Sequence, residues 1–538
     1  MMLTQVLSKE WLKLRQLSAV LFTLVVVAGG YFTVDLVGQF ANIEPESMMW
    51  YRYSHLGDKP YWWVKYSFLL VAASIALCQF IPEIMGKRIR ILMHLPLSTE
   101  WVVYTHTLVG GSLIIAVNSL LAVIVLLAMN YYYPSVITIA SAKDMLFSQL
   151  PALAMYLGLV MVLVENEWRR RALKITLAIA LVILAQKNHY QWQDLVWLSV
   201  LIWFILPLKD SFLSIKTRRI EGRGYRMSFA AILLIMVSSI GLRLHDQYAV
   251  TTSKYYLFYS HLLKDYVYQE NAPHHRFNYG TASLSFDKSE FENALPFVFW
   301  KNFDIQGKLP VEVDGRFYDK MAIRRSRLSL QYNSERISSP DVPLYPLFNP
   351  ISNKGSIRFP ENAFVPLTNS FAVYAAETAK LNHSLTNEIN QLAEQLKVQF
   401  PIRNVWGKTT NMKPFDWGYF IQDTNGTLFN LRRADGVLSL VQVPDLETSE
   451  SLVYLQVSEN RQKSFYGYAI SQSSDVYLIG YPDYQWVKLD LNDFDYRTMS
   501  FQLLADPLNY LLRYDDGKQY HAVRFDKQYR RLDQAVFE

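Results

Sequence analysis

Apolar residues in the first 245 positions come in long runs, broken by short stretches that are mostly basic. A bilayer core asks for roughly 20 apolar residues per helix, because unpaired backbone groups are too costly there. The runs predict spans near 17–37, 62–82, 102–130, 147–164, 173–187, 194–208 and 227–242. Those at 173–187 and 194–208 are short, and read either as tilted spans or as the two arms of a shallow hairpin, for about six to seven crossings. Beyond about 246 the runs give way to mixed patterns. "TSKYYLFYSHLLKDYVYQE" (252–270) reads as a helix or stalk continuing the last span, and 311–333 as strand, Asp314-Gly315 turn, strand. A helix is expected near 384–397, capped by Ser384 and Thr386, with Ile389, Leu392, Ala393 and Leu396 as its apolar stripe. After about 400 the alternation is all β and repeats. Units begin at Tyr419, Tyr468 and Tyr510, each a strand, a polar turn (Asn425-Gly426, Ser474-Asp475, Asp516-Gly517) and a second strand. Intervals of 49 and 42 residues suit propeller blades, but three units do not close a ring, so a meander or partial propeller is expected.

Charge gives this pattern a direction. Lys and Arg number sixteen in the N-terminus and alternate loops (Lys9, Lys13, Arg15; Lys87, Arg88, Arg90; 169–174; 209–226), against four in the others. The positive-inside rule puts the N-terminus in the cytoplasm and everything after about 243 outside. The start has the basic region of a signal peptide, but its apolar run is too long and no clean cleavage site follows. The fold class expected is an α-helical polytopic membrane domain followed by an extracytoplasmic domain, mixed α/β and then β-rich, propeller- or meander-like. The divisions are an interfacial amphipathic helix at 1–16, the membrane domain at 17–245, a stalk and mixed region at 246–400, and β-repeats at 401–538. In the first of these, Val6, Trp11, Leu12 and Leu14 would lie on lipid while Lys9, Lys13 and Arg15 face headgroups. The single cysteine, Cys78, excludes an internal disulfide, so the outer domain must hold by packing.

"KEWLKLR" at 9–15, and Glu83, Gly86 and "KRIRILMHLPLS" at 87–98 directly before the third span, resemble the ABC-2 type transporter permeases. In that family an interfacial helix opens the chain, and the first intracellular loop forms a coupling helix that fits a groove on the ATP-binding subunit. The resemblance covers about residues 1–245. It implies a coupling interface at Glu83, Gly86, Lys87, Arg88, Arg90, Leu95 and Pro96, and an interfacial helix carrying Lys9, Trp11, Lys13 and Arg15. The partners it implies are a dimer of ATP-binding subunits holding ATP and Mg²⁺, a second permease chain, identical or homologous, and the bacterial inner membrane. A final span leading to a large outer domain departs from the usual six-span pattern. "KPFDWGYFIQDTNG" (413–426) and "VSENRQKSFYGY" (457–468) resemble an uncharacterised bacterial membrane-protein family encoded beside such ATPases, with no established substrate.

The remaining chemistry is sparse. The nearest echo of a phosphate-binding loop is "WGKTT" (406–410), with Ile402 where the first glycine belongs, so no cofactor is expected in this chain. His274-His275 lacks further ligands, and "DLNDFD" (490–495) lacks the Gly-centred loop and bidentate Glu of an EF-hand; both read as solvated turns, and no metal site is expected. Ser458–Arg461 reads as a hydrogen-bonded corner, with a ligand site as the other reading. No nucleophile–base or zinc-protease motif appears, and nothing points to nucleic acid. Asn118, mid-way along the third span, either lines the bundle interior or bonds a neighbouring helix. The function expected is the permease subunit of an ATP-driven exporter or extractor, with a periplasmic partner or cargo at the outer domain. The alternative is a non-transporting membrane sensor or scaffold.

Overall fold

The computed structural model describes residues 2–42, 46–93, 98–186, 198, 201–202, 204–216, 230, 233–234, 237–238, 241–242, 244–245, 254–272, 276–334, 337, 340, 342–446 and 451–537. The chain divides into two compact units, one of Met1–Asp246 with Glu377–Lys380 and one of Gln247–Ala376 with Leu381–Glu538.

The first unit is helical: α1 Met2–Asn42, α2 Glu46–Leu56, α3 Trp62–Met85, α4 Arg88–Met93, α5 Thr99–Tyr132, α6 Ser135–Phe147, α7 Gln149–Val164, α8 Trp168–Gln186 and α9 Ile205–Lys216. Among the described residues, four helical stretches are long and apolar enough to cross a membrane: Gln5–Asn42, Trp62–Met85, Thr99–Tyr132 and Ser135–Val164. The fourth starts well before the expected 147 and breaks at Ser148. The expected span at 227–242 falls mostly outside the described residues, and that at 194–208 does so in part, its end lying in α9. No helix break falls at 16/17. α1 runs unbroken for 41 residues, about 60 Å at helical rise, roughly twice a hydrocarbon core. α1 packs on α5 and α3, α3 on α7, and α7 on α8. Small residues permit the close crossings: a Cβ at Gly158 would stand 2.8 Å from the Ala178 Cβ.

The second unit is β-rich. Its first sheet is a meander of β1 Lys254–Ser260, β2 Asp265–Ala272, β3 Arg276–Gly280 and β4 Ser285–Phe286. The expected helix or stalk here is therefore a hairpin. Leu257, Tyr266 and Val267 are buried within it, and a tyrosine-rich run suits a half-buried sheet better than a helix. Next come α10 Lys288–Ala294, α11 Trp300–Ile305, the hairpin β5 Val311–Val313 and β6 Arg316–Tyr318, and α12 Lys320–Ser326. Asp314 and Gly315 both take positive φ, as the two-residue turn requires. After β7 Leu328–Tyr332, a second meander holds β8 Tyr345–Pro346, β9 Asn362–Pro366, β10 Phe371–Ala375 and β11 Lys380–Leu381, and α13 His383–Gln395 packs on it. The cap of α13 is Asn382, which accepts from the Leu385 N–H, and not Ser384 or Thr386; Thr386 instead accepts the Val373 N–H.

The expected repeat resolves into four-stranded meanders, of which the sequence pattern had displayed two strands each. One holds β12 Asn404–Gly407, β13 Tyr419–Gln422, β14 Leu428–Ala434 and β15 Val437–Gln442. The next holds β16 Leu452–Val457, β17 Phe465–Ser471, β18 Val476–Gly480 and β19 Trp486–Leu489. The last holds β20 Ser500–Ala505, β21 Tyr510–Asp515, β22 Tyr520–Phe525 and β23 Arg531–Phe537, and β7 joins its edge beside β20. Side-chain alternation then fills a core on each face of a sheet. Tyr419 and Ile421 of β13 enter the core shared with β9, β10 and α13, while Phe420 enters the core shared with β16 and β17. Tyr468 and Ile470 of β17 pack toward the last sheet, and Tyr466 and Ala469 the other way. Tyr510, Leu512 and Tyr514 face that same core, while Leu511 packs with Leu257 and Tyr266 of the first sheet. Five antiparallel sheets thus stack in series by apolar packing.

Candidate functional site

α1 carries one acid among apolar neighbours on its inner face, since Val6, Glu10 and Leu14 recur at a spacing of four and all are buried. α3 places Gln79 and Glu83 one helical turn apart, and both are also buried. Lys9 pairs with Glu83 at 2.9 Å. Lys13 bridges the two acids, 2.7 Å from Glu10 and 3.2 Å from Glu83. From α5, His106 presents Nε2 to Glu10 at 3.3 Å, while its Nδ1 lies 2.8 Å from the Val102 carbonyl. Gln79 donates to Glu10 Oε2 and to the His106 carbonyl, both at 3.0 Å, and accepts from the Tyr156 hydroxyl of α7 at 2.7 Å. Gly110 leaves room for this hydroxyl, because a Cβ there would stand 2.1 Å from it. Two carboxylates meet two ammonium groups, and the cluster ties α1, α3, α5 and α7 together. Lys9 and Lys13, expected to face headgroups, both reach Glu83, because buried acids need paired cations, and Lys9 remains partly exposed. Trp11, Leu12 and Arg15 remain exposed.

α4 starts directly beyond this clamp. Gly86 ends α3 with an ordinary φ of −80°, and Lys87 takes the left-handed φ of 50° that turns the chain. Ile89 is buried against the bundle, whereas Lys87, Arg88, Arg90 and Ile91 all face outward. α4 also packs against α5 and α9. Leu95 and Pro96 lie outside the described residues. A second buried group sits where α7, α8 and α9 meet. Lys174 contacts Glu165 at 2.7 Å, Ser211 Oγ at 2.7 Å and Asp210 at 3.4 Å. Lys174 had read as a loop charge, and the structure buries it. Asn118 donates to Gln149 Oε1 at 3.3 Å across α5 and α7, and its own Oδ1 is buried without a partner. Asn118 thus both sits inside the bundle and bonds a neighbouring helix. Among the described residues no group of three His, Cys, Asp or Glu is placed to hold a metal ion. What the clamp can do is hold four helices and a short basic helix in one arrangement.

In the second unit, Lys413 and Asp416 of the 413–426 phrase meet Glu459 of the 457–468 phrase. Lys413 lies 2.6 Å from Asp416 and 3.2 Å from Glu459, and all three side chains are buried. Glu459 also accepts the Trp417 N–H at 3.0 Å, so Ser458–Arg461 forms a structural corner. The "DLNDFD" stretch is likewise a turn: Asp495 accepts the Arg497 N–H and Phe494 is buried. Gly407 of "WGKTT" ends β12, with no helix following it, and His274-His275 lies outside the described residues. The sequence signal for the missed acid–base partners was a lone acid or lysine inside an apolar stripe, as at Glu10.

A family profile described as a domain of unknown function (DUF4857) matches residues 256–525. No curated protein matches, and no solved structure matches.

Proposed function

Because the chain belongs to the DUF4857 family, whose description assigns no activity, we propose a role from the membrane unit: a transmembrane subunit of an ATP-driven transporter of the ABC-2 kind. A separate ATP-hydrolysing subunit would dock on α4 and hold the ATP and Mg²⁺. Two membrane chains, identical or homologous, would pair with two such subunits in a bacterial inner membrane, with the second unit outside as a propeller-like cargo or partner domain. The observation that carries this reading is α4, six residues long, whose outward Arg88, Arg90 and Ile91, with Lys87 just before them, stand next to the Lys9–Glu83–Lys13–Glu10 clamp. Force on a helix end reaches the membrane only through a stiff connection, and buried ion pairs with satisfied partners supply one. The exposed Met85 and Ile91 beside three cations suit a groove with an apolar floor and an acidic rim.

The test is purification of the chain from its native host with nucleotide-hydrolysing activity measured. Arg88→Glu with Arg90→Glu should release the ATPase and reduce its membrane-dependent activity by about tenfold or more, as expected for charge reversal at a docking surface. Unchanged association and activity would refute docking at α4. A sensor or scaffold, the other reading, predicts no nucleotide-hydrolysing partner in that purification.

A further inference from the structure

Arg513, on β21, is a half-buried cation that enters none of the ion pairs among the described residues. Its Nε and Nη2 donate to Gln502 Oε1, and its Nη1 donates to the Leu257 carbonyl at 3.2 Å. The guanidinium lies 5.2 Å from the ring of Tyr256 and 4.8 Å from that of Phe258, both on β1. A guanidinium has five N–H donors, so these three bonds leave two. Burial lowers its pKa to about 10, which still keeps it charged at neutral pH. Cation–π contact offsets part of the cost of burying that charge, and a counter-anion would offset the rest.

Arg513 opens onto a cleft of about 300 Å³ between β1 and strands β7, β20, β21 and β22. That volume is at the lower end for a small-molecule site. The fully charged side chains lining it are Lys254, Arg513 and Asp515, a net single positive charge. His521 also lines it; its Nε2 is buried with no hydrogen-bond partner, and its ring stacks flat on Tyr514 at 4.7 Å. Burial holds the His521 imidazole below its usual pKa, favouring the neutral ring, and pushes the Asp515 carboxyl up. The cleft therefore offers an unspent guanidinium edge, an unsatisfied imidazole nitrogen, a carboxyl and a half-exposed tyrosine ring, Tyr256.

We propose that this cleft binds a hydroxyl-bearing monoanion of the sugar-acid class, with its carboxylate on Arg513 and Lys254 and its hydroxyls on His521 Nε2 and Asp515. One negative charge matches the net charge of the lining, and hydroxyls match groups that need a neutral donor or acceptor. The cleft lies wholly in the second unit, so binding there stands apart from any docking at α4.

The test is calorimetric titration of the full-length detergent-purified protein with D-glucuronate, D-glucose and D-glucose 6-phosphate. Glucuronate should bind, and glucose should bind about tenfold or more weakly, the worth of a charge-assisted hydrogen bond. Arg513→Gln should remove glucuronate binding. Because Arg513 also supports β1, the exposed Lys254→Glu provides a second variant, which should weaken glucuronate about fivefold or more while leaving the melting temperature unchanged. Equal affinity for glucose and glucuronate, no saturable glucuronate binding, or full affinity in Lys254→Glu would overturn the site. Tighter binding of glucose 6-phosphate than of glucuronate would overturn the carboxylate assignment.

Discussion

Glu459 shows how much a single side chain can carry in a domain without disulfides. Burial raises its carboxyl to about 7 from an ordinary 4.5, against the pull of Lys413 and the Trp417 N–H, while Asp416 nearby raises it further. The native state then holds a proton that the unfolded chain has already released across that interval. The stability this contributes is complete below the unfolded value and is lost as pH rises through the folded one. The melting temperature of the second unit should therefore fall between about pH 5 and pH 8, and Glu459→Gln, which has no proton to lose, should flatten that dependence. A slope that survives in the variant would place its origin elsewhere. The sequence offered these residues only as two separate phrases, because nothing local says that a lysine at 413 and an acid at 459 share one dry pocket.

At the scale of elements, the clamp and the caps follow different logics. Turns were legible: Asp314-Gly315, Asn425-Gly426, Ser474-Asp475 and Asp516-Gly517 all join paired strands, since such residues accept left-handed backbone at little cost. The stripe of α13 was legible for the same local reason, with Ile389 and Ala393 buried as its period requires. The clamp was not, because its members come from α1, α3, α5 and α7. Removing Lys13 would leave Glu10 and Glu83 buried with less compensation. Lys13→Met should cost about 3–5 kcal/mol, as for other broken buried pairs, read as a lower melting temperature of the detergent-purified protein. Arg15→Met, at an exposed position two residues on, should stay within about 0.5 kcal/mol. Equal losses in the two variants would mean that the clamp contributes nothing beyond a surface charge.

At the scale of the whole molecule, the charge asymmetry sets an expected sidedness. In a Cys78→Ser background, a membrane-impermeant maleimide should label Met412→Cys on intact cells and Arg88→Cys only after lysis. Met412 is 86% exposed and Arg88 is also exposed, so access to the label reports the membrane side rather than burial. The reverse pattern would invert the orientation, and with it the proposal that α4 meets an ATP-hydrolysing partner. Stability of the second unit rests on the stacking of five sheets, the inner three of which give side chains to the cores on both their faces. Burying one large aliphatic or aromatic side chain contributes about 1.5–3 kcal/mol, so these shared cores can replace the disulfides that a single cysteine rules out.

By itself the sequence determined what depends on neighbours along the chain. Long apolar runs can satisfy their backbone only as helices in a bilayer, the bias of Lys and Arg sets an expected direction of insertion, and alternation with Gly and Asp turns makes hairpins. Tertiary structure decided what depends on distant residues meeting. It paired β7 with β20 across more than 160 residues, turned a presumed stalk into a sheet, and brought Lys9 and Lys13 onto Glu83. The physical reason is the same in each case. Burial makes an unpaired charge or strand edge costly, and the partner that removes the cost is chosen by packing in space, which spacing along the chain does not record.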